Sequence, residues 1–269
     1  MMSIICVYNN KSFLEKYLLK SLKNQNKRYD LHLLENTHNQ FKSAAEAFNY
    51  GGKEAKGRYL MFVHQDIIFD GKNWLERCEK MLDSIERLGV AGVAGMSEAG
   101  KTNYERGRNI ILETKKKTPW RQGNKIHAPE EIQTLDECLI IIPQKIFKKY
   151  PFDEKTCDHW HLYSVDYCLS IKKKGYRAMV LPLLVTHISS TISTSTPRRS
   201  KLQVIFSLGW LSEDYYRTLK KILKKHRKKY KMIYTTCGDW NTRVLIIFQR
   251  IYKVLRWGVK AVLLLKNKK

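Results

Sequence analysis

A three-layer α/β sandwich built on a parallel sheet is the architecture this 269-residue sequence predicts. Three observations carry that prediction. Apolar runs rich in β-branched residues alternate with amphipathic stretches at helical spacing, the pattern of a parallel sheet with right-handed crossovers. Several of the helical stretches end on glycine. At 43% hydrophobic residues the chain can bury one medium domain with an appendage. Together these describe a Rossmann-like sandwich.

The elements follow in order. "SIICVY" (3–8) is a short strand ending on Asn9-Asn10, and "SFLEKYLLKSLKNQ" (12–25) is a helix with Leu14, Leu18, Leu19 and Leu22 on one face and Ser12 as its cap. "YDLHLLEN" (29–36) is a second strand, "KSAAEAFNYGGKEAKG" (42–57) a small-residue helix closed by Gly57, and "RYLMFVHQ" (58–65) a third strand. "NWLERCEKMLDSIERLG" (73–89) and "VAGVAG" (90–95) add another helix and strand. The rhythm lapses over 100–133, which reads as a hairpin or mobile loop. It returns with "LIIIP" (139–143), with "WHLYSVDYCLSIKKKGY" (160–176), whose Leu162, Val165, Cys168 and Leu169 form an inward stripe closed by Gly175, and with "RAMVLPLLVTHISS" (177–190). No internal repeat is visible.

The formal net charge is +25, and it is uneven. Residues 198–269 hold 20 Lys and Arg against three acids, so a partner inferred from charge belongs first to this tail. We therefore divide the chain into a sandwich domain, 1–197, and a basic helical extension, 198–269. Six cysteines without a CxxC pair suit reduced thiols and a cytoplasmic setting, and the short apolar patch at residues 4–7 is no signal peptide.

Polar groups stand where strands end: Glu35, Asp66 and His187. In "YLMFVHQDIIF" (59–69) an apolar run stops on His64-Gln65-Asp66, and open α/β folds place their ligands at the carboxyl ends of strands. A carboxylate there suits a hard divalent cation, and imidazole is tolerated if the ion is manganese. Asp166 lies in an otherwise apolar helix; facing a cleft it is a general-base candidate, and facing solvent it is an ordinary surface acid. "CDHWH" (157–161) lacks the second half of a tetrahedral zinc site, and Trp160 and His161 fit better as the start of the helix that carries Asp166. With no GxGxxG after the first strand and no GxxxxGK[ST], dinucleotide oxidoreductases and P-loop nucleotidases are demoted.

Five stretches in register, "SIICVYNN", "LHLLEN", "KSAAEAFNYGGKEAKGRYLMFVHQDIIF", "WHLYSVDYCLSIKKKGY" and "VLPLLVTHIS", span about residues 3–190. In these the chain resembles the glycosyltransferase family 2 enzymes of the GT-A fold, in the branch of StrF-type domains. The resemblance implies a nucleotide-diphosphate sugar as donor and a divalent metal, Mn2+ or Mg2+. It places Tyr8, Asn9, Glu35, Asn49 and His64 around the donor nucleotide, and Asp66 and His187 on the metal that bridges the diphosphate. It makes Asp166 the catalytic base of an inverting displacement, and puts Asp136 and Glu137, with Trp160 and His161, near the acceptor or sugar. His64 replaces the first carboxylate of the family's DxD motif, and Glu35 replaces an aspartate. The irregular 100–133 segment is the candidate lid over the reaction. By family analogy the acceptor is a glycan or lipid-linked glycan in cell-surface polysaccharide assembly.

Beyond Cys237-Gly238-Asp239, "NTRVLIIFQRIYKVLRWGVKAVLLLKNKK" (241–269) reads as an interfacial helix on an anionic membrane surface. Arg243, Arg250, Lys253, Arg256 and Lys260 fall on one face, with Leu245, Phe248, Ile251, Leu255, Val259 and Val262 mostly away from it. This predicts a peripheral protein on the inner face of the cell membrane, the alternative being a helix packed on the core with a solvated basic face. Two rival classes are weighed. A nucleic-acid binder would spread its charge along a groove, so no specific nucleic acid is expected. A catalytically inactive GT-A-like scaffold would not need Asp66, Asp166 and His187 in place.

Overall fold

The computed structural model describes residues 1–109, 111–113, 123–188 and 211–252. The chain opens with β1 (Met2–Tyr8), a helical stretch of α1 (Lys11–Leu14), a π-helical turn (Glu15–Leu19) and α2 (Lys20–Lys23), then β2 (Tyr29–Glu35). The first helix is capped by Asn10 rather than Ser12: the Asn10 side chain accepts from Phe13 N at 3.1 Å. There follow α3 (Ala44–Glu54), β3 (Tyr59–His64), β4 (Ile67–Phe69), α4 (Trp74–Asp83), β5 (Leu88–Gly92), β6 (Gly95–Met96), α5 (Asn103–Arg106), β7 (Gly107–Arg108) and β8 (Ile111–Glu113). The second half holds β9 (Glu130–Glu131), β10 (Thr134–Leu135), β11 (Leu139–Pro143), α6 (Gln144–Lys149), α7 (Tyr163–Lys173), β12 (Arg177–Val180) and β13 (Val185–His187). After residue 210 come α8 (Glu213–His226) and the hairpin of β14 (Met232–Thr235) and β15 (Gly238–Asn241).

Seven strands form the central sheet in the order β2-β1-β3-β11-β5-β12-β9. The three layers are visible in the alternation along single strands. Met2, Ile4 and Cys6 of β1 and Tyr59, Met61 and Val63 of β3 face Leu14, Leu18, Trp74 and Leu82. Ile5, Leu60 and Phe62 face the opposite cluster with Phe48, Phe147, Val165 and Leu169. Both faces of the sheet are therefore covered, which is why these strands read as continuous apolar runs. Close approach of α3 to the sheet uses Gly51: a Cβ there would stand 2.7 Å from Ile5 Cγ2 and 2.8 Å from Leu34 Cδ1.

Two expectations are corrected. The sheet is mixed, because β11 runs antiparallel to both β3 and β5. β10 and β11 return alongside β6 and β5 in the antiparallel sense, a reversal that strand–helix alternation alone does not register. The extension is also no separate appendage where it is described. Leu219 and Ile222 of α8, Ile233 of β14 and Trp240 of β15 belong to the same buried cluster as Phe62 and Tyr163. The boundary expected at residue 197, and the tail beyond 252, lie outside the described residues. Of the supposed loop at 100–133, the described parts are tied down: β8 pairs in parallel with β13, and the buried Asn109 side chain donates to the carbonyls of Leu181 and Leu183 at 2.9 and 2.8 Å.

Candidate functional site

The carboxyl ends of β1, β2 and β3 meet at one edge of the sheet. Parallel register sets Tyr8 opposite Glu35 and Val7 opposite His64. The Tyr8 hydroxyl donates to Glu35 Oε2 at 3.2 Å, and Thr37 Oγ1 donates to Glu35 Oε1 at 2.6 Å. Gln65, which sequence reasoning passed over, fastens the loop after β1 to the loop after β3. Its Oε1 accepts from Asn9 N and Asn10 N at 3.1 and 3.0 Å, and its Nε2 donates to Asn9 Oδ1 at 2.7 Å. The only sequence signal was its position between His64 and Asp66.

His187 arrives from a distant part of the chain. Strand β13 pairs antiparallel with β4, placing His187 opposite Ile67, and Ile188 N donates to the Asp66 carbonyl at 2.9 Å. His187 Nε2 stands 3.3 Å from Asp66 Oδ1, and the His64 and His187 rings lie 5.8 Å apart. One ligand atom from each of His64, Asp66 and His187 falls within 4.8 Å of the other two, the one set of this kind among the described residues. Burial tends to raise the Asp66 carboxyl, but His187 and His64 outweigh it and hold it below the usual carboxylate range. Burial lowers His64 against the pull of Asp66, so its imidazole is neutral near pH 7, the form that ligates. Two imidazole nitrogens and one carboxylate oxygen at a strand end, partly exposed, fit a divalent cation with positions left for other ligands.

A second group borders the first. The loop before β11 presses against β3, where His64 N donates to the Cys138 carbonyl at 3.0 Å. Tyr163, at the start of α7, donates from its hydroxyl to the Glu137 carbonyl at 2.7 Å and lies 3.4 Å from His64 Nε2. His161 Nδ1 is 4.0 Å from Glu137 Oε2, and the Tyr215 ring of α8 packs 5.8 Å from the His161 ring. Neither Tyr163 nor Tyr215 was singled out from the sequence, where each looks like an ordinary core aromatic. Between His161 and Tyr163, Leu162 holds φ at 68°, a left-handed conformation that costs a branched residue about 1–2 kcal/mol. Burial, and secondarily Asp136, raise the Glu137 carboxyl to about 8, while the amides of Leu162 and Tyr163 oppose the shift. Its Oε1 is buried without a hydrogen-bond partner. Trp160 stands beside this group, partly exposed.

Two expected site residues are engaged elsewhere. Asp166 Oδ2 accepts from Lys225 Nζ at 2.6 Å, and Oδ1 accepts from His226 Nε2 at 2.7 Å, both from α8. Asp166 is 2% exposed, and the cavity it borders, of about 260 Å3 with Lys149, Tyr150, Ser170 and Lys174, includes none of the groups described above. Its carboxylate is thus a docking partner for α8 rather than a base facing the cleft; a buried acid must be paired, and here the fold supplies the pair. Asn49 is likewise structural. Its side chain accepts from Phe152 N at 2.9 Å and donates to the Phe152 carbonyl at 3.0 Å and Glu154 Oε1 at 2.7 Å, pinning the loop after α6. The "CDHWH" side chains share no ligand set: Asp158 pairs with Lys221 at 2.5 Å, and His159 faces Arg217 and Asp214.

Solved structures with the same fold include the mannosyltransferase PcManGT from Pyrobaculum calidifontis, in complex with GDP-Man and Mn2+ (TM-score 0.51, 13% identity, 94% of this chain and 68% of that one). Another is TarS residues 1–349 of S. aureus with UDP-GlcNAc (TM-score 0.51, 15% identity, covering 86% and 73%). A third is GalNAc-T7 with UDP, GalNAc and Mn2+ (TM-score 0.50, 12% identity); the match covers 76% of this chain but only about half, 48%, of that one. No curated protein matches the sequence. These likenesses establish the GT-A fold. The family described as "Glycosyltransferase like family" matches residues 2–227, across β1 to α8, and the chain belongs to that family, a family 2-type glycosyltransferase group.

Proposed function

We propose that the protein transfers a sugar from a nucleotide-diphosphate sugar to an acceptor hydroxyl by a single displacement that inverts the anomeric centre. The observation that carries this reading is the His64–Asp66–His187 set at the carboxyl end of the sheet. Two imidazoles favour manganese over magnesium, and the ion would supply charge neutralisation for the departing diphosphate. Tyr8, Glu35 and the Gln65-clamped loop at Asn9 border the position of the nucleoside, their side chains already tied to one another. The acceptor oxygen bonds to the anomeric carbon as the bond to the diphosphate oxygen breaks, and the acceptor proton must leave with a base. With Asp166 paired to α8, the Glu137–His161 pair is the nearer choice: His161, lowered by burial, is a neutral imidazole able to take that proton. Trp160 offers a partly exposed ring to a sugar face. A glycan or lipid-linked glycan remains our choice of acceptor, on family analogy alone.

The test is binding of a panel of nucleoside diphosphates, with and without manganese, to the wild type and Asp66→Ala. Manganese-dependent binding of one nucleotide, lost in the variant, supports the reading and names the base. A folded protein that binds none with metal present would sink it in favour of an inactive scaffold.

A further inference from the structure

We propose that residues 244–252 are a docking surface for an anionic lipid membrane. The helical segment 246–252 is amphipathic in an inverted sense: its polar side chains point inward. Gln249 donates to the carbonyls of Asn241 and Val244 at 2.9 and 2.7 Å and accepts from Asn241 N at 2.7 Å. Arg250 donates to Glu213 Oε1 at 2.6 Å and lays its guanidinium 3.9 Å from the Tyr216 ring centre. Ile246 completes the inner face against the core. The outer face is apolar. Leu245, Phe248 and Tyr252 are 66%, 59% and 62% exposed, and Val244, Ile247 and Ile251 continue the patch beside them. These six supply more than half of the large hydrophobic side chains exposed among the described residues, gathered in nine positions. A contiguous apolar face of this kind marks an interaction site.

Charge selects the occupant. From residue 243 to the end the sequence holds eight Lys and Arg and no acid, six of the eight after residue 252. A second copy, itself carrying a net charge of +25, would meet like with like. A nucleic acid would take the cations but leave the leucine, phenylalanine and isoleucines in water. An anionic bilayer surface takes both: apolar side chains into the headgroup–acyl boundary and cations to the phosphates. The expected assignment of faces changes in one particular. Arg250 is held inward by Glu213 and serves to orient the segment, which leaves Arg243 as the exposed arginine of this stretch among the described residues.

The test is co-sedimentation of the full chain with vesicles of phosphatidylcholine alone and of phosphatidylcholine mixed with phosphatidylglycerol. The wild type is compared with the triple variant Leu245→Ser/Phe248→Ser/Tyr252→Ser. The expected result is binding to the anionic vesicles only, weakened about tenfold or more in the variant. All three positions are exposed, so the variant should keep the wild-type circular dichroism and the wild-type affinity for manganese and nucleotide; that second readout separates this proposal from the donor reading. Equal sedimentation of variant and wild type, binding of the wild type to neutral vesicles as strongly as to anionic ones, or no vesicle binding at all would overturn it. So would a dimer-to-monomer change caused by the variant, which would assign the face to a second copy. Binding of both proteins to single-stranded DNA with no vesicle binding would assign the charge to nucleic acid.

Discussion

Asp66 and Asp166 look alike in the sequence and end in opposite situations. Each sits in or after an apolar run, and each finds a histidine partner from a distant part of the chain. Asp166 is closed off: both oxygens are taken, by Lys225 and His226, and it is 2% exposed. Asp66 is left open at a sheet edge, its side chain 16% exposed beside two imidazoles with which it makes an incomplete coordination set. A carboxylate whose neighbours satisfy it serves the fold, and one whose neighbours point the same way it does is waiting for a ligand.

The sharpest way to break this contrast is to remove each acid and read two observables. Asp66→Ala should weaken manganese-dependent nucleotide binding by about a hundredfold or more, with a melting temperature within a few degrees of wild type. Asp166→Ala should do the reverse. It leaves His226 and part of Lys225 buried without the partner that justified burying them, a loss of about 3 kcal/mol in urea unfolding, with nucleotide affinity unchanged under conditions where the protein is folded. If Asp166→Ala kept its stability and lost only turnover, the general-base assignment would return and the contrast would collapse.

Much of this contrast was beyond the reach of the sequence. The sandwich was legible because the continuous apolar runs of β1 and β3 alternate with helical stretches such as α3 and α7, and Asp66 was legible because His64-Gln65-Asp66 interrupts a core strand. His187 was legible as a polar group at a strand end, its metal role came from the resemblance, and only the β13–β4 register explains why it reaches Asp66. The fate of Asp166 depended on α8, about sixty residues downstream, whose basic side chains suggested a partner outside the protein. Lys225 and His226 turn inward because an internal anion, Asp166, meets them there. Charge composition does not say where along a helix a cation finds its partner.

Glu137 sharpens the comparison from the cleft side, because its carboxyl is raised to about 8 with one oxygen unpartnered. The folded state holds this proton more tightly than the unfolded chain does. Its stabilising contribution is therefore complete below the ordinary glutamate range and is lost as pH rises towards about 8. Measured with chelator present, wild-type stability should fall across that window by on the order of 4 kcal/mol more than that of Glu137→Gln, which cannot ionise. Parallel pH profiles for the two proteins would mean that the carboxyl is better solvated than its surroundings indicate.

The smallest effect is expected at Asn49, and it tests whether the closed kind of polar group has been told correctly from the open kind. Asn49→Ala leaves the buried N–H and carbonyl of Phe152 without partners and frees Glu154 Oε1. That should cost about 1–3 kcal/mol, because each unsatisfied buried group keeps its desolvation penalty. Asn49→Asp should recover the bond from Phe152 N while setting a carboxylate against the Phe152 carbonyl and Glu154, so it should be no more stable than alanine. In neither variant should the nucleotide dissociation constant change by more than about twofold, within the error of an indirect effect. A loss of affinity exceeding the loss of stability would return Asn49 to the donor pocket, where the family resemblance first placed it. Intact affinity with reduced stability would confirm that a polar side chain inside α3 can be explained wholly by the loop it pins.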